Sequence, residues 1–196
     1  MPPARPLWPM KWIVLAILVF VVLYTYLNLH FRKPGPAYQP YQDSRQRAAL
    51  EQVGYQRITC RVDRPSDPAP IVDSALPAPG GLPADLLATF PTPPLLPAEI
   101  GVVAADPSVE AMATYSIQFS CTQSDNLREV VGAHLFLKAG EIFAVPDSET
   151  LPAGLIARTR ANVIRIRVPP GTIPVGSYHV TLVGGQSSKA WTLQVH

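Results

Sequence analysis

The side chains able to do chemistry are few and scattered. His30, His134, His179 and His196 have no ligand spacing among themselves, and His134 and His179 fall in predicted strands, on faces expected to be exposed. No metal is expected. Cys60 and Cys121 are the two cysteines, and without a Cys-x-x-Cys pattern a thiol-exchange role is not expected. Their spacing leaves two readings open: a disulfide tying the start of the domain to its interior, which needs an oxidising compartment, or two buried thiols. Gly-x-Ser-x-Gly, phosphate-cradling and dinucleotide motifs do not occur, and the Asp and Glu residues are spread through turns. The expectation is a chain that is not an enzyme and carries no cofactor. Arg158, Arg160, Arg165 and Arg167 form the one notable cluster of charge. On adjacent strand segments they would make a basic contact face for anionic headgroups or an acidic partner, and the simpler reading is a solvated face.

These residues must be positioned by strands. Tyr55 to Val62 alternates, with Ile58, Cys60 and Val62 on one side and Arg57, Thr59 and Arg61 on the other. Thr114 to Cys121 alternates more cleanly, placing Tyr115, Ile117, Phe119 and Cys121 towards a core. Val130 to Lys138 and Glu141 to Val145 flank Ala139-Gly140 as a hairpin, and Val163 to Val168 exposes Arg165 and Arg167 on its open face. Ile100 to Ala104 is a further strand candidate, and Ala190 to Val195 is the final one.

Ahead of the strands, residues 12 to 29 carry no charge and consist mostly of Ile, Val, Leu and Phe. At about 1.5 Å per residue this run matches a hydrocarbon core. Trp8 and Trp12 at one end and Tyr24 and Tyr26 near the other suit the two membrane interfaces, and His30, Arg32 and Lys33 follow as a stop. Bulky residues occupy the exit where a signal peptidase needs small ones, so a retained single-pass anchor is expected. Arg5 and Lys11 against Arg32, Lys33, Arg45 and Arg47 do not decide orientation. The short leading tail, and two cysteines placed where they could pair, favour a cytoplasmic N-terminus and a C-terminal domain outside the cell (inner) membrane, in the periplasm.

The expected organisation is therefore a tail over 1–11, a transmembrane helix over 12–29, a proline spacer and short helix over 30–54, a strand and Pro-rich arm over 55–98, and a β domain over 99–196. The short helix is capped by Asp43 or Ser44 and ended by Gly54, with Ala48, Ala49, Leu50 and Val53 on its apolar face. Ten of the 23 prolines lie between Pro65 and Pro97, a density that excludes regular secondary structure there. The leucines of this arm are too many for a solvated linker, so it is expected to wrap over the domain or over a partner. A net charge of +2 implies no bulk attraction to nucleic acid.

Residues 168 to 195 read Val-Pro-Pro-Gly-Thr-Ile-Pro-Val-Gly-Ser-Tyr-His-Val-Thr-Leu-Val-Gly-Gly and then a last strand. This segment resembles the closing strands of bacterial immunoglobulin-like domains. The resemblance implies that Gly176-Ser177-Tyr178 opens the penultimate strand, and that the Tyr178 hydroxyl pins the preceding corner. The expected fold is mainly β: the N-terminal transmembrane helix followed by an antiparallel immunoglobulin-like β-sandwich. Such a layout suits a non-catalytic accessory subunit of a respiratory or photosynthetic membrane complex, whose partners are integral membrane subunits and the lipid bilayer. Copper-delivery proteins for oxidase assembly are similar in layout, although the paired-cysteine motif is missing here. A cell-envelope binding module is the third reading.

Overall fold

The structure, a computed structural model, describes residues 9–31, 40–65 and 73–196. It divides into two compact units, Met1–Pro40 and Tyr41–His196. Trp8, the proline spacer over 34–39 and the first residues of the arm lie outside the described residues.

In the first unit, α1 (Met10–Phe31) is 22 residues long. Its stretch Met10–Asn28 has a mean hydropathy of 2.2, long and apolar enough to cross a membrane. Trp12, Tyr24 and Tyr26 are 57%, 60% and 62% exposed, and apolar side chains cover the whole circumference rather than one stripe.

The second unit opens within α2 (Pro40–Val53), which Gly54 ends in the left-handed conformation, as the sequence predicts. Ten strands follow: β1 (Gln56–Asp63), β2 (Leu76–Pro79), β3 (Glu99–Ala105), β4 (Ser108–Val109), β5 (Tyr115–Thr122), β6 (Arg128–Lys138), β7 (Glu141–Thr150), β8 (Ala161–Val168), β9 (Gly176–Leu182) and β10 (Ser187–Val195). One short helix, α3 (Ala84–Leu87), interrupts them. The β6–β7 hairpin turns on Ala139 and Gly140, both at positive φ, the geometry that lets a two-residue turn follow the strand twist.

The strands do not divide into two sheets. A single ladder runs β10-β3-β5-β8-β1-β6-β7-β9 and closes through the β9–β10 pairing, so the sheet is a barrel and a sandwich is not shown. Alternation alone predicts one buried face per strand, and both architectures satisfy it. A ring of this size has an interior just wide enough for side chains to fill. Ile117, Phe119, Ile142, Ile164, Ile166, Leu182 and Leu193 fill it, each with no exposed surface. Within it the Trp191 indole N–H donates to the Tyr115 hydroxyl at 2.9 Å, which in turn donates to the Asp106 carbonyl at 3.0 Å. At the β9 corner the Tyr178 hydroxyl donates to the Pro174 carbonyl at 2.9 Å, the contact the resemblance implied.

Closure between β10 and β3 rests on a single bridge, Ser187 to Glu99. The seam is reinforced by Gly185 N–H to the Pro97 carbonyl, Gln186 N–H to the Ala98 carbonyl and Gly81 N–H to the Gly184 carbonyl, at 2.7, 2.8 and 2.8 Å. Such close backbone approach requires residues without side chains: a Cβ on Gly184 would sit 2.3 Å from the Ser187 carbonyl oxygen.

Candidate functional site

The Pro-rich arm is not structureless. It forms β2, paired with β10, and α3, and it lies on the barrel's own outer wall. Because successive strand residues face opposite ways, Leu135, Leu137, Ile142 and Ala144 point into the barrel while Phe136, Phe143 and Val145 point out. This outer apolar face is covered by Leu50 of α2, Leu86 of α3 and the arm residues Leu82, Phe90 and Leu96, making a second core. Pro146 stands where β7 no longer has β9 beside it, a position where a missing N–H costs nothing to the ladder. Beyond it the Ser148 N–H donates to the Leu95 carbonyl at 3.0 Å, so the arm continues the sheet edge.

Between arm and wall a cleft of about 320 Å³ stays open, walled by Phe90, Pro91, Thr92, Pro93, Pro94 and Leu95 on one side. Its floor comes from β1, β6 and β7: Arg57, His134, Phe136, Val145, Asp147 and Ser148, with Gln46 of α2 at the rim. The size lies within the range of ligand pockets, and the mixture of apolar wall and converging polar groups fits one. Register explains the convergence. His134 pairs with Thr59 and Val145, so Arg57 and Asp147 are its diagonal neighbours on the same face, each about 7–8 Å away.

The three polar groups differ in how well they are satisfied. Arg57 is engaged: Nη2 meets Asp43 at 2.8 Å and Nη1 donates to the Gln46 side chain at 3.2 Å. That guanidinium holds the Asp43 carboxyl below the usual carboxylate range. His134 is not on an open face, as the sequence suggested, but half-buried, and its Nδ1 has neither solvent nor a hydrogen-bond partner. Burial first, then the Arg57 charge, lowers its pKa and keeps the imidazole neutral, with Asp43 opposing. Asp147 has no basic partner among the described residues, and burial alone raises its pKa. The other described acids that are not exposed, Asp63, Asp125 and Glu129, each pair with an arginine: Arg167, Arg128 and Arg64.

The remaining expected sites separate. Cys60 and Cys121 are free and buried in the barrel core, so no disulfide joins them. β8 lies between their strands. Cys121 sits opposite Asn162, while the β1–β8 register carries Cys60 to the level of Val168, about 20 Å further along at strand rise. A disulfide needs Cα atoms within about 7 Å. Burial pushes both thiols up to about 12, which makes them inert and poor thiolate ligands.

The arginine cluster also divides. On β8, Arg165 donates to the Gln118 side chain at 2.7 Å, and Arg167 pairs with Asp63 at 2.6 Å. Arg158 and Arg160 sit in the exposed loop before β8, beside exposed Leu155 and Ile156. Seven residues of extended chain, about 23 Å, separate Arg160 from Arg167, so the four do not form one face.

Asp147 and His134 had no motif to single them out. The only sequence signal was a histidine and an acid on adjacent hairpin strands, and the arm that turns them into a cleft comes from some 40 residues earlier in the chain. Among the described residues no group of three or more His, Cys, Asp or Glu is arranged to hold a metal. No protein-family model, no curated protein and no solved structure matches this chain.

Proposed function

We propose that this chain is a membrane-anchored, non-catalytic accessory module that works by surface contact with integral membrane proteins of a larger complex, with its β-barrel on the extracytoplasmic side. The observation that carries the reading is α1, whose apolar side chains are exposed on every side and which therefore requires lipid or other helices around it. A barrel interior filled with side chains supports the same reading, because recognition then falls to the outer surface. The free cysteines lend no support to the side assigned to the barrel. Copper delivery is disfavoured by two thiols sealed in the core. A binding module of the cell envelope is the second reading, and the cleft beside Asp147 favours it.

Mild-detergent extraction from native membranes, affinity purification and mass spectrometry test the proposal. Integral membrane proteins should be recovered in stoichiometric amounts, and the chain should resist alkaline carbonate extraction with its N-terminus intact. A signal sequence shares the length and composition of α1. A mature protein that begins after α1 and washes off the membrane would refute the anchor, and a chain purified alone would refute the accessory role.

A further inference from the structure

We propose that the cleft between the arm and the outer wall of β1, β6 and β7 binds an organic ammonium ion on a short apolar stem, with Asp147 as its counter-ion. The inference does not depend on the accessory role. Its starting point is an imbalance of charge: Asp147 is the one described acid that is not exposed and has no basic partner, and it lines a cavity rather than solid protein. A half-buried carboxylate lacks the full hydration that offsets its charge, and a cation delivered into the cleft would supply the missing attraction.

The neighbouring groups favour a cation over other ligands. Arg57 is turned to Asp43 and the Gln46 side chain, which lessens its repulsion of a cation without cancelling it, and burial disfavours the charged form of His134. Phe90, partly exposed at the cleft and backed edge to face by the fully buried Phe136 with centroids 5.5 Å apart, offers ring surface to a cation and to the methylenes behind it. Proline rings on the arm side accept an apolar stem and provide no N–H that would compete for the carboxylate. A bare metal ion fits less well, because Asp147 and His134 are only two donors and the His134 Nδ1 is sealed off.

An ammonium group of this kind has two sources, a free alkyl amine and a lysine side chain. Calorimetric titration of the full chain in detergent micelles would use cadaverine, the blocked tripeptide acetyl-Gly-Lys-Gly-amide, and its norleucine counterpart, which keeps the stem and loses the charge. Binding of either ammonium probe, weakened about tenfold or more by Asp147→Asn and unchanged by Glu149→Gln on the exposed end of the same strand, is the expected result. Cadaverine alone would assign a free amine, and the lysine peptide alone a protein side chain. The proposal is overturned if neither binds at millimolar concentration, if norleucine matches lysine, or if Asp147→Asn binds as well as the parent. Should Asp147→Asn fail to fold, the parent protein decides: affinity must fall as the pH is lowered and Asp147 takes up its proton, and a flat profile overturns the proposal. Both results are independent of co-purifying subunits, so this inference and the accessory role can fail separately.

Discussion

Replacing Leu86 by alanine should release the arm from the barrel. Leu86 belongs to a four-residue helix, far too short to persist by its own hydrogen bonds, yet its side chain is fully buried among Leu50, Tyr55, Phe136, Val145 and Val183. The helix is therefore held by packing. Leu86→Ala removes three buried carbons, about 2.4 kcal/mol at 0.8 kcal/mol each, and a residual cavity raises the loss to about 3 kcal/mol. That corresponds to roughly a hundredfold greater population of the opened arm. Hydrogen exchange reads it at amides whose bonds belong to the arm: Ala88 to Ala84, Thr89 to Leu86, and Ser148 to Leu95. Asp85, next in sequence, is the control. It meets Lys138 at 2.6 Å and the Tyr55 hydroxyl at 3.1 Å, but the Lys138–Asp85 pair is substantially exposed, and Asp85→Asn should cost under about 1 kcal/mol, less than fivefold in exchange. Lys138 holds the Asp85 carboxyl below its usual range. Its small contribution is therefore present above the unfolded carboxylate pKa and lost as the pH falls through the lower folded value. Arm amides in Leu86→Ala that exchange within fivefold of the parent would refute the packing argument.

Other perturbations have equally definite outcomes. Asp147→Asn should raise the melting temperature at neutral pH and not in acid. With its folded pKa raised, the parent's contribution is intact below the unfolded carboxylate pKa and is lost as the pH rises through the folded value. Thermal scans across pH check the sign. Cys60 and Cys121 should both be titratable by a thiol reagent in denaturant without reductant and react slowly in the folded protein; an oxidised pair would contradict the register. Gly184→Ala should destabilise by about 1–3 kcal/mol, because its Cβ would meet the Ser187 carbonyl and Ile100. Gly132→Ala, at the β6 bulge with open space around it, is the matched control in chemical denaturation. Tyr115→Phe should cost about 1–3 kcal/mol by leaving the Trp191 indole N–H buried without an acceptor.

Local chemistry made much of the fold legible. The alternation of Tyr115, Ile117, Phe119 and Cys121, the Ala139-Gly140 turn and the Gly54 stop all act within a few residues, and each stands where the sequence puts it. Barrel closure was not legible, because it depends on which strand edges meet: β9 lies parallel to β7, and β10 reaches β2, β3 and β4 across more than 80 residues of sequence. The proline density also misled. Pro77 and Pro79 fit β2 because, among the described residues, that strand pairs only with β10, and Pro83 precedes α3 without needing an N–H there. For the cleft, the leucines of the arm signalled a covered segment, but only the three-dimensional wall shows that it lies beside Asp147.

The β10 strand has a consequence for the order of assembly. Each of its partners, β2, β3, β4 and β9, precedes it in the chain, so a nascent polypeptide has made every other strand before the ring can shut. Until then β3 and β9 present raw edges of unpaired backbone groups, the surfaces most prone to pairing with another chain. Vectorial synthesis thus brings out α1 ahead of the barrel, and the interval of greatest aggregation risk ends only when the closing strand emerges.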